Sequence, residues 1–174
     1  MVVRYSDRED KISLNKMAYY LTETGMRNLG GEIQALEKTV RSLESKIHET
    51  AESCGDLYHD NPSLNRLHQE IGMFKNKLIE KYKVIREGRI ITYPKTVDSV
   101  CLGSKVTIEK NNGQFAYSIM GYGEADLDNN QIIYDSPLAQ AIIGAKTGQL
   151  VDFRINGNSS KIKILKVEPL NGKS

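Results

Sequence analysis

The chain has 174 residues, 24 of them basic and 22 acidic, for a formal net charge of +2. A charge this near balance excludes a polyanion binder driven by bulk electrostatics, so any charge effect must come from local patterning. With 39% apolar residues, enough for a core, and no apolar run near the roughly 18 residues of a membrane span, composition also excludes a disordered chain and a helical membrane protein.

Residues 1–16 are charged and irregular, with Arg4, Asp7, Arg8, Glu9, Asp10 and Lys11 in close succession, and residues 1–19 read as a mobile leader. They lack the apolar core of a signal peptide. The two cysteines, Cys54 and Cys101, lie in different segments with no CxxC spacing, which points to a reducing, cytoplasmic setting.

Residues 20–92 are expected to form a helical hairpin. Thr22 offers a side-chain oxygen to cap a helix, and Glu23 places negative charge in its first turn. From there Leu29, Ile33, Leu36, Val40, Leu43 and Ile47 are spaced as the a and d positions of heptads. Gly25, Gly30 and Gly31 are poor helix formers, each costing up to about 1 kcal/mol against alanine, so the base of this helix needs packing from the rest of the chain. Gly55 is the natural stop after Cys54. A second ladder follows in Leu64, Leu67, Ile71, Phe74 and Leu78, with Tyr82 and Ile85 continuing the rhythm. Asn61 is a good N-cap for it, Pro62 suits the first helical position, and Gly88 closes it. Two narrow apolar seams joined by a short acidic turn predict a long antiparallel coiled-coil hairpin within one monomer. A first helix from Glu23 to Ser53 would be roughly 45 Å long, more than a small core requires.

Residues 93–174 change to the period of strands. Ile90 to Thr92 with Pro94 reads as an extended linker. Lys105 to Glu109 alternates, Asn111-Asn112-Gly113 is a hairpin turn, and Phe115 to Met120 returns. Ile132 to Tyr134 follows, then a short helix from Leu138 to Ile143, opened by Ser136-Pro137 and ended by Gly144. Leu150 to Ile155, a turn at 156–158 and Lys161 to Val167 complete what reads as a β-meander with one helix. The fold class is α+β.

The chain resembles the Gre-factor family of bacterial transcription elongation factors, GreA and GreB. The resemblance is carried by Tyr20-Leu21-Thr22 with Gly25, Leu29 and Ile33, by Gly55-Asp56-Leu57, and by Gly123-Glu124-Ala125-Asp126, Asp135-Ser136-Pro137-Leu138-Ala139 and Ile143-Gly144. It implies a coiled coil followed by an FKBP-like domain that docks on RNA polymerase, at the rim of the secondary channel on the largest subunit. It further implies that the coiled coil enters the channel and that its acidic tip helps hold a second Mg²⁺, so that backtracked RNA is cleaved by the polymerase's own site. An accessory factor, not an enzyme, is therefore expected, in a family counted among DNA-binding regulators of elongation. Two divalent ions about 4 Å apart stabilise the attacking and leaving oxygens of a phosphodiester, and such hard ions take carboxylate ligands.

Carried onto this sequence, the resemblance gives Asp56 and Asp60 as the tip carboxylates that ligate the metal. It gives Asp135, Ser136 and Pro137 as the polymerase-binding loop, and Lys38, Arg41 and Lys46 as a basic face toward the RNA 3′ end. Aligned without a gap, the family's tip glutamate meets His59; with one inserted residue, the preferred alignment, it meets Asp60, and Glu52 stands where the family tends to carry arginine. Asp60 has a second reading as a residue that satisfies its own helix start. Two functions of different class therefore stand side by side: stimulation of transcript cleavage, or a channel binder that modulates the polymerase without cleavage. A coiled-coil adaptor unrelated to transcription requires the C-terminal signature to be coincidence. His48, His59 and His68 share no metal-ligand spacing and read as surface residues.

Overall fold

The computed structural model describes residues 19–54, 61–111, 113–155 and 157–170. The leader up to residue 18 and the tip residues 55–60 lie outside these. The chain divides into two compact units, Arg27–Gly88 and the described segments on either side of it.

The Arg27–Gly88 unit holds most of α1 (Glu23–Cys54) and all of α2 (Pro62–Glu87). Thirty-two helical residues give α1 a length of about 48 Å. The heptad ladder of α1 points inward as expected, since Leu29, Ile33, Val40 and Leu43 are buried. Val40 and Leu43 pack with Ile71, flanked by Ile47, Leu67, Phe74 and Leu78. The helices are antiparallel, because partners run in opposite senses: Glu44 meets Lys75, and Glu37 meets Tyr82.

The upper part of the α2 ladder differs from its sequence reading. Tyr82 and Ile85 are exposed by 48% and 37%, and Val84 is the buried residue. The reason is polar: the Tyr82 hydroxyl donates to Glu37 Oε1 at 2.6 Å, and Lys81 bonds Glu32. These groups line the edge of the seam, where one side chain must stay in contact with water.

The second unit is built on a five-stranded sheet of order β5-β4-β3-β7-β6. Its strands are β3 (Ser104–Lys110), β4 (Gly113–Met120), β5 (Gln131–Ile133), β6 (Leu150–Ile155) and β7 (Asn158–Pro169). The β3–β4 hairpin matches its NNG signal, with Lys110 opposite Gly113 and Asn111 at φ 50°. The whole is not a meander. β5 runs parallel to β4, and the last strand, β7, enters between β3 and β6. Pairing across such sequence distances is set by the core, which fills one face with Val106, Ile108, Ile119, Ile162 and Ile164, covered by Ile142 of α3 (Pro137–Ile142). Each such side chain contributes about 1.5–3 kcal/mol on burial.

A further two-stranded sheet pairs β1 (Tyr19–Leu21) with β2 (Gly88–Ile90), extended by the Ile91 amide donating to the Leu21 carbonyl at 2.8 Å. The chain entering the hairpin is thus hydrogen-bonded to the chain leaving it.

Candidate functional site

The loop Asp135–Pro137 is held from both sides. Before it, the Tyr134 amide donates to the Met120 carbonyl at 3.0 Å, and the Ser136 amide to the Ile133 carbonyl at 3.0 Å. After it, Ser136 is the N-cap of α3: its Oγ accepts from the Ala139 amide at 3.3 Å, and Pro137 occupies the first turn, where no amide hydrogen is needed. Ala139 and Ile142, fully buried, fasten the helix to the core. Asp135 and Pro137 stay exposed, with Ser136 half-buried between them. The three expected docking residues therefore form one fixed corner.

Beside the corner a pocket of about 330 Å³ opens between α3 and the sheet, lined by Ile108, Phe115, Tyr117, Leu138 and Phe153. Lys110 Nζ lies 4.8 Å from the centre of the Phe153 ring. No sequence pattern announces the pocket, because its walls come from four elements whose alternation reads as ordinary strand pattern.

At the tip end, α1 runs to Cys54, and α2 starts behind Asn61. Asn61 is the N-cap, extended at φ −85° and ψ 107°, and its Oδ1 accepts from the Ser63 amide at 2.9 Å. Its carbonyl accepts from Leu64 and Asn65. Asp56 and Asp60 lie outside the described residues. Among the described residues no group of three His, Cys, Asp or Glu side chains is placed to hold a metal ion.

Lys38, Arg41 and Lys46 are exposed on α1, and Arg41 pairs with Glu37 at 3.4 Å. They do not form one row: Lys46 is five residues beyond Arg41, about 140° around the helix. α1 carries six acidic and four basic residues, α2 three acidic and six basic, so the cationic surplus of the hairpin is on α2. Counting each helix separately is the signal that reveals this.

A second cluster joins the most recognisable motif residues. Thr22 caps α1 through its Oγ1, which accepts from the Gly25 amide at 3.1 Å. Gly25 rests on the turn Gly121–Glu124: a Cβ there would fall 2.4 Å from the Tyr122 carbonyl oxygen, and one on Gly123, at φ 81°, would fall 2.8 Å from the Gly25 oxygen. The base of α1 thus receives the packing that Gly25 called for, whereas Gly30 and Gly31 have open space. The Tyr122 amide donates to the Tyr20 carbonyl at 2.8 Å. Tyr93 closes the cluster, donating its hydroxyl to Glu124 Oε2 at 2.5 Å and accepting from the Gly121 amide at 2.8 Å. Burial first, and the Glu124 hydrogen bond second, push the Tyr93 phenol far above its ordinary range.

The family follows from comparison with known proteins. Residues 94–169 match the family model "Transcription elongation factor, GreA/GreB, C-term". The transcription elongation factor GreA of Macrococcus caseolyticus is 32% identical over 154 residues, covering 86% of this chain and 96% of that protein. The chain belongs to the GreA/GreB family of transcription elongation factors. GreA of Lachnoclostridium phytofermentans is 29% identical over 154 residues, covering 87% of this chain and 96% of that protein. Among solved structures, GreA factor homolog 1 of Thermus thermophilus is 17% identical, covers 87% of this chain and 99% of its own, and aligns with a TM-score of 0.41.

Proposed function

We propose that this family member is a monomeric accessory factor that binds bacterial RNA polymerase, inserts its helical hairpin into the secondary channel, and stimulates the polymerase's own cleavage of backtracked RNA. The corner Asp135–Pro137 binds the rim of the largest subunit. Its polar tip stands beside the apolar pocket walled by Leu138, and an apolar centre with a polar edge is the anatomy of a specific protein interface. A corner fixed before binding also loses little conformational freedom on docking.

Asp56 and Asp60 act at the hairpin tip, and Lys38, Arg41 and Lys46 contribute positive charge toward the RNA 3′ end. Mg²⁺ shared with the polymerase supplies charge stabilisation at the scissile phosphate when bound. The role of this chain is to bring two carboxylates to one point on a long stiff support.

The observation that carries the cleavage reading is the N-cap of α2. Asn61 fills that position and bonds Ser63, so Asp60, one residue earlier, is not the capping residue. With the cap supplied by Asn61, we take Asp60 as a metal ligand and not as the residue that caps the helix. The test is a transcript-cleavage assay on stalled elongation complexes. Shortened, re-extendable RNA in the presence of the protein supports the proposal; slower synthesis with no cleavage would assign the chain to channel blocking instead.

A further inference from the structure

We infer that Tyr93 and Glu124 are positioning residues for the cleavage reaction: together they latch the turn Gly121–Glu124 against the first turn of α1, the helix that leads to the tip. The inference rests on the functional reading above for its consequence, and on geometry alone for the latch.

Three contacts meet at this turn. Gly25 and Gly123 approach so closely that neither tolerates a Cβ without a shift of backbone, and the positive φ of Gly123 restricts that position to glycine independently. A contact between two backbones of this kind has no side chain to adjust, so it needs the turn itself to be rigid. Tyr93 provides the rigidity. Its hydroxyl is both donor to the Glu124 carboxylate and acceptor from the Gly121 amide, so one oxygen ties the first residue of the turn to the last. Its ring is placed in turn by Gly103, at φ 83°, where a Cβ would fall 2.5 Å from Cδ1 of the tyrosine.

The bond to Glu124 is charge-assisted and short, which places it among the stronger hydrogen bonds available to a protein. Strong upward displacement of the Tyr93 phenol is the expected companion of such a half-buried pair. The Glu124 stem also lies where a Gly25 side chain would be, with Cγ 3.3 Å from that position, so the latch and the seat share one residue. Since α1 is unbroken from Glu23 to Cys54, holding its first turn holds the base of that helix. Neither Tyr93 nor Glu124 belongs to the docking corner or the tip. Loss of the latch should therefore separate binding from stimulation.

The experiment compares full-length wild type, Tyr93→Phe, Glu124→Ala and Glu124→Gln in two assays. Amide exchange of the peptide covering residues 20–30 reads the seat without polymerase. Tyr93→Phe and Glu124→Ala should raise exchange there by at least about tenfold, leaving peptides of β3 and β4 unchanged, while Glu124→Gln, which still accepts the tyrosine hydrogen, stays nearer wild type. In cleavage assays the same two variants should lose several-fold in maximal stimulation at saturating protein, with the half-saturating concentration unchanged, and Glu124→Gln should recover most of the loss. A merely structural defect would instead raise exchange throughout the sheet and shift half-saturation, which overturns the inference. Unchanged exchange at 20–30 overturns the latch itself. Wild-type protein that stimulates no cleavage overturns the functional reading and the positioning role with it, whatever the exchange shows.

Discussion

Glu44 of α1 and Lys75 of α2 meet at 2.8 Å across the hairpin, thirty-one residues apart in sequence, and mark the register of the two helices. Both side chains are about half exposed, and a pair in that setting contributes at most about 1 kcal/mol. The register must come from the apolar seam beneath it.

The first prediction tests that seam. Leu43 is 7% exposed and packs with Val40 and Ile71. Leu43→Ala should cost about 2–5 kcal/mol, and Leu43→Asp more, because a charge is buried unpaired. Thermal melting followed by circular dichroism at 222 nm reads the loss. Glu44→Gln should leave the melt nearly unchanged, and a larger effect than that of Leu43→Ala would place register in the ion pair.

The second prediction concerns the docking corner. Ser136→Ala removes the acceptor for the Ala139 amide and should cost about 1 kcal/mol of local stability. Asp135→Ala with Pro137→Ala should weaken co-purification with polymerase while the helical signal of the hairpin is kept. If Ser136→Ala alone weakens binding as much as the double variant, the shape of the corner matters more than its charge. Unchanged affinity in both would move the docking surface elsewhere.

How far these features could be read from the sequence depends on their range. Leu29 to Ile47 and Leu64 to Leu78 announce themselves because a heptad is a local pattern, and Ser136-Pro137 does so because a cap and its helix are adjacent. Val84 replaced Tyr82 and Ile85 because the Tyr82 hydroxyl and the Lys81 ammonium bind Glu37 and Glu32, partners more than forty residues away. The β1–β2 pair, three residues each, is too short to show a period. The place of β7 in mid-sheet and the parallel β5 follow from core packing, which no local pattern encodes. The Tyr93–Glu124 bond joins residues 31 apart, and nothing in either neighbourhood signals the other.

The third prediction is a pH dependence. Burial, and then the bond to Glu124, raise the folded Tyr93 phenol well above the unfolded value near 10, and burial is also the main cause that raises Tyr134. The neutral phenol is therefore favoured by folding. Between the unfolded and folded values the unfolded chain binds fewer protons, so stability falls as pH rises. The contribution is fully present below about pH 10 and is lost above it. Denaturant melts of the sheet domain should show falling midpoints from about pH 10 upward, and Tyr93→Phe should flatten that fall. An equal slope in Tyr93→Phe would assign the alkaline loss to other groups.

The last prediction asks whether the tip acts on the polymerase's active centre. Asp56 follows Gly55 directly in the sequence between α1 and α2, and among the described residues Asn61 supplies acceptors to the Ser63, Leu64 and Asn65 amides at the start of α2. Asp56→Asn keeps size and hydrogen-bonding capacity but removes the charge that a hard divalent cation selects. In a cleavage-competent factor it should reduce transcript cleavage strongly at limiting Mg²⁺, recover in part at high Mg²⁺, and leave polymerase binding nearly intact. Asp60→Asn should show the same dependence on Mg²⁺, because two carboxylates converging on one ion each contribute to its affinity. Asn61→Ala provides the control: it removes the cap at a cost of about 1 kcal/mol and should not change the Mg²⁺ requirement. If Asp56→Asn cleaves as well as wild type at every Mg²⁺ concentration, Asp56 has no part in the chemistry, and the tip serves only to fill the channel.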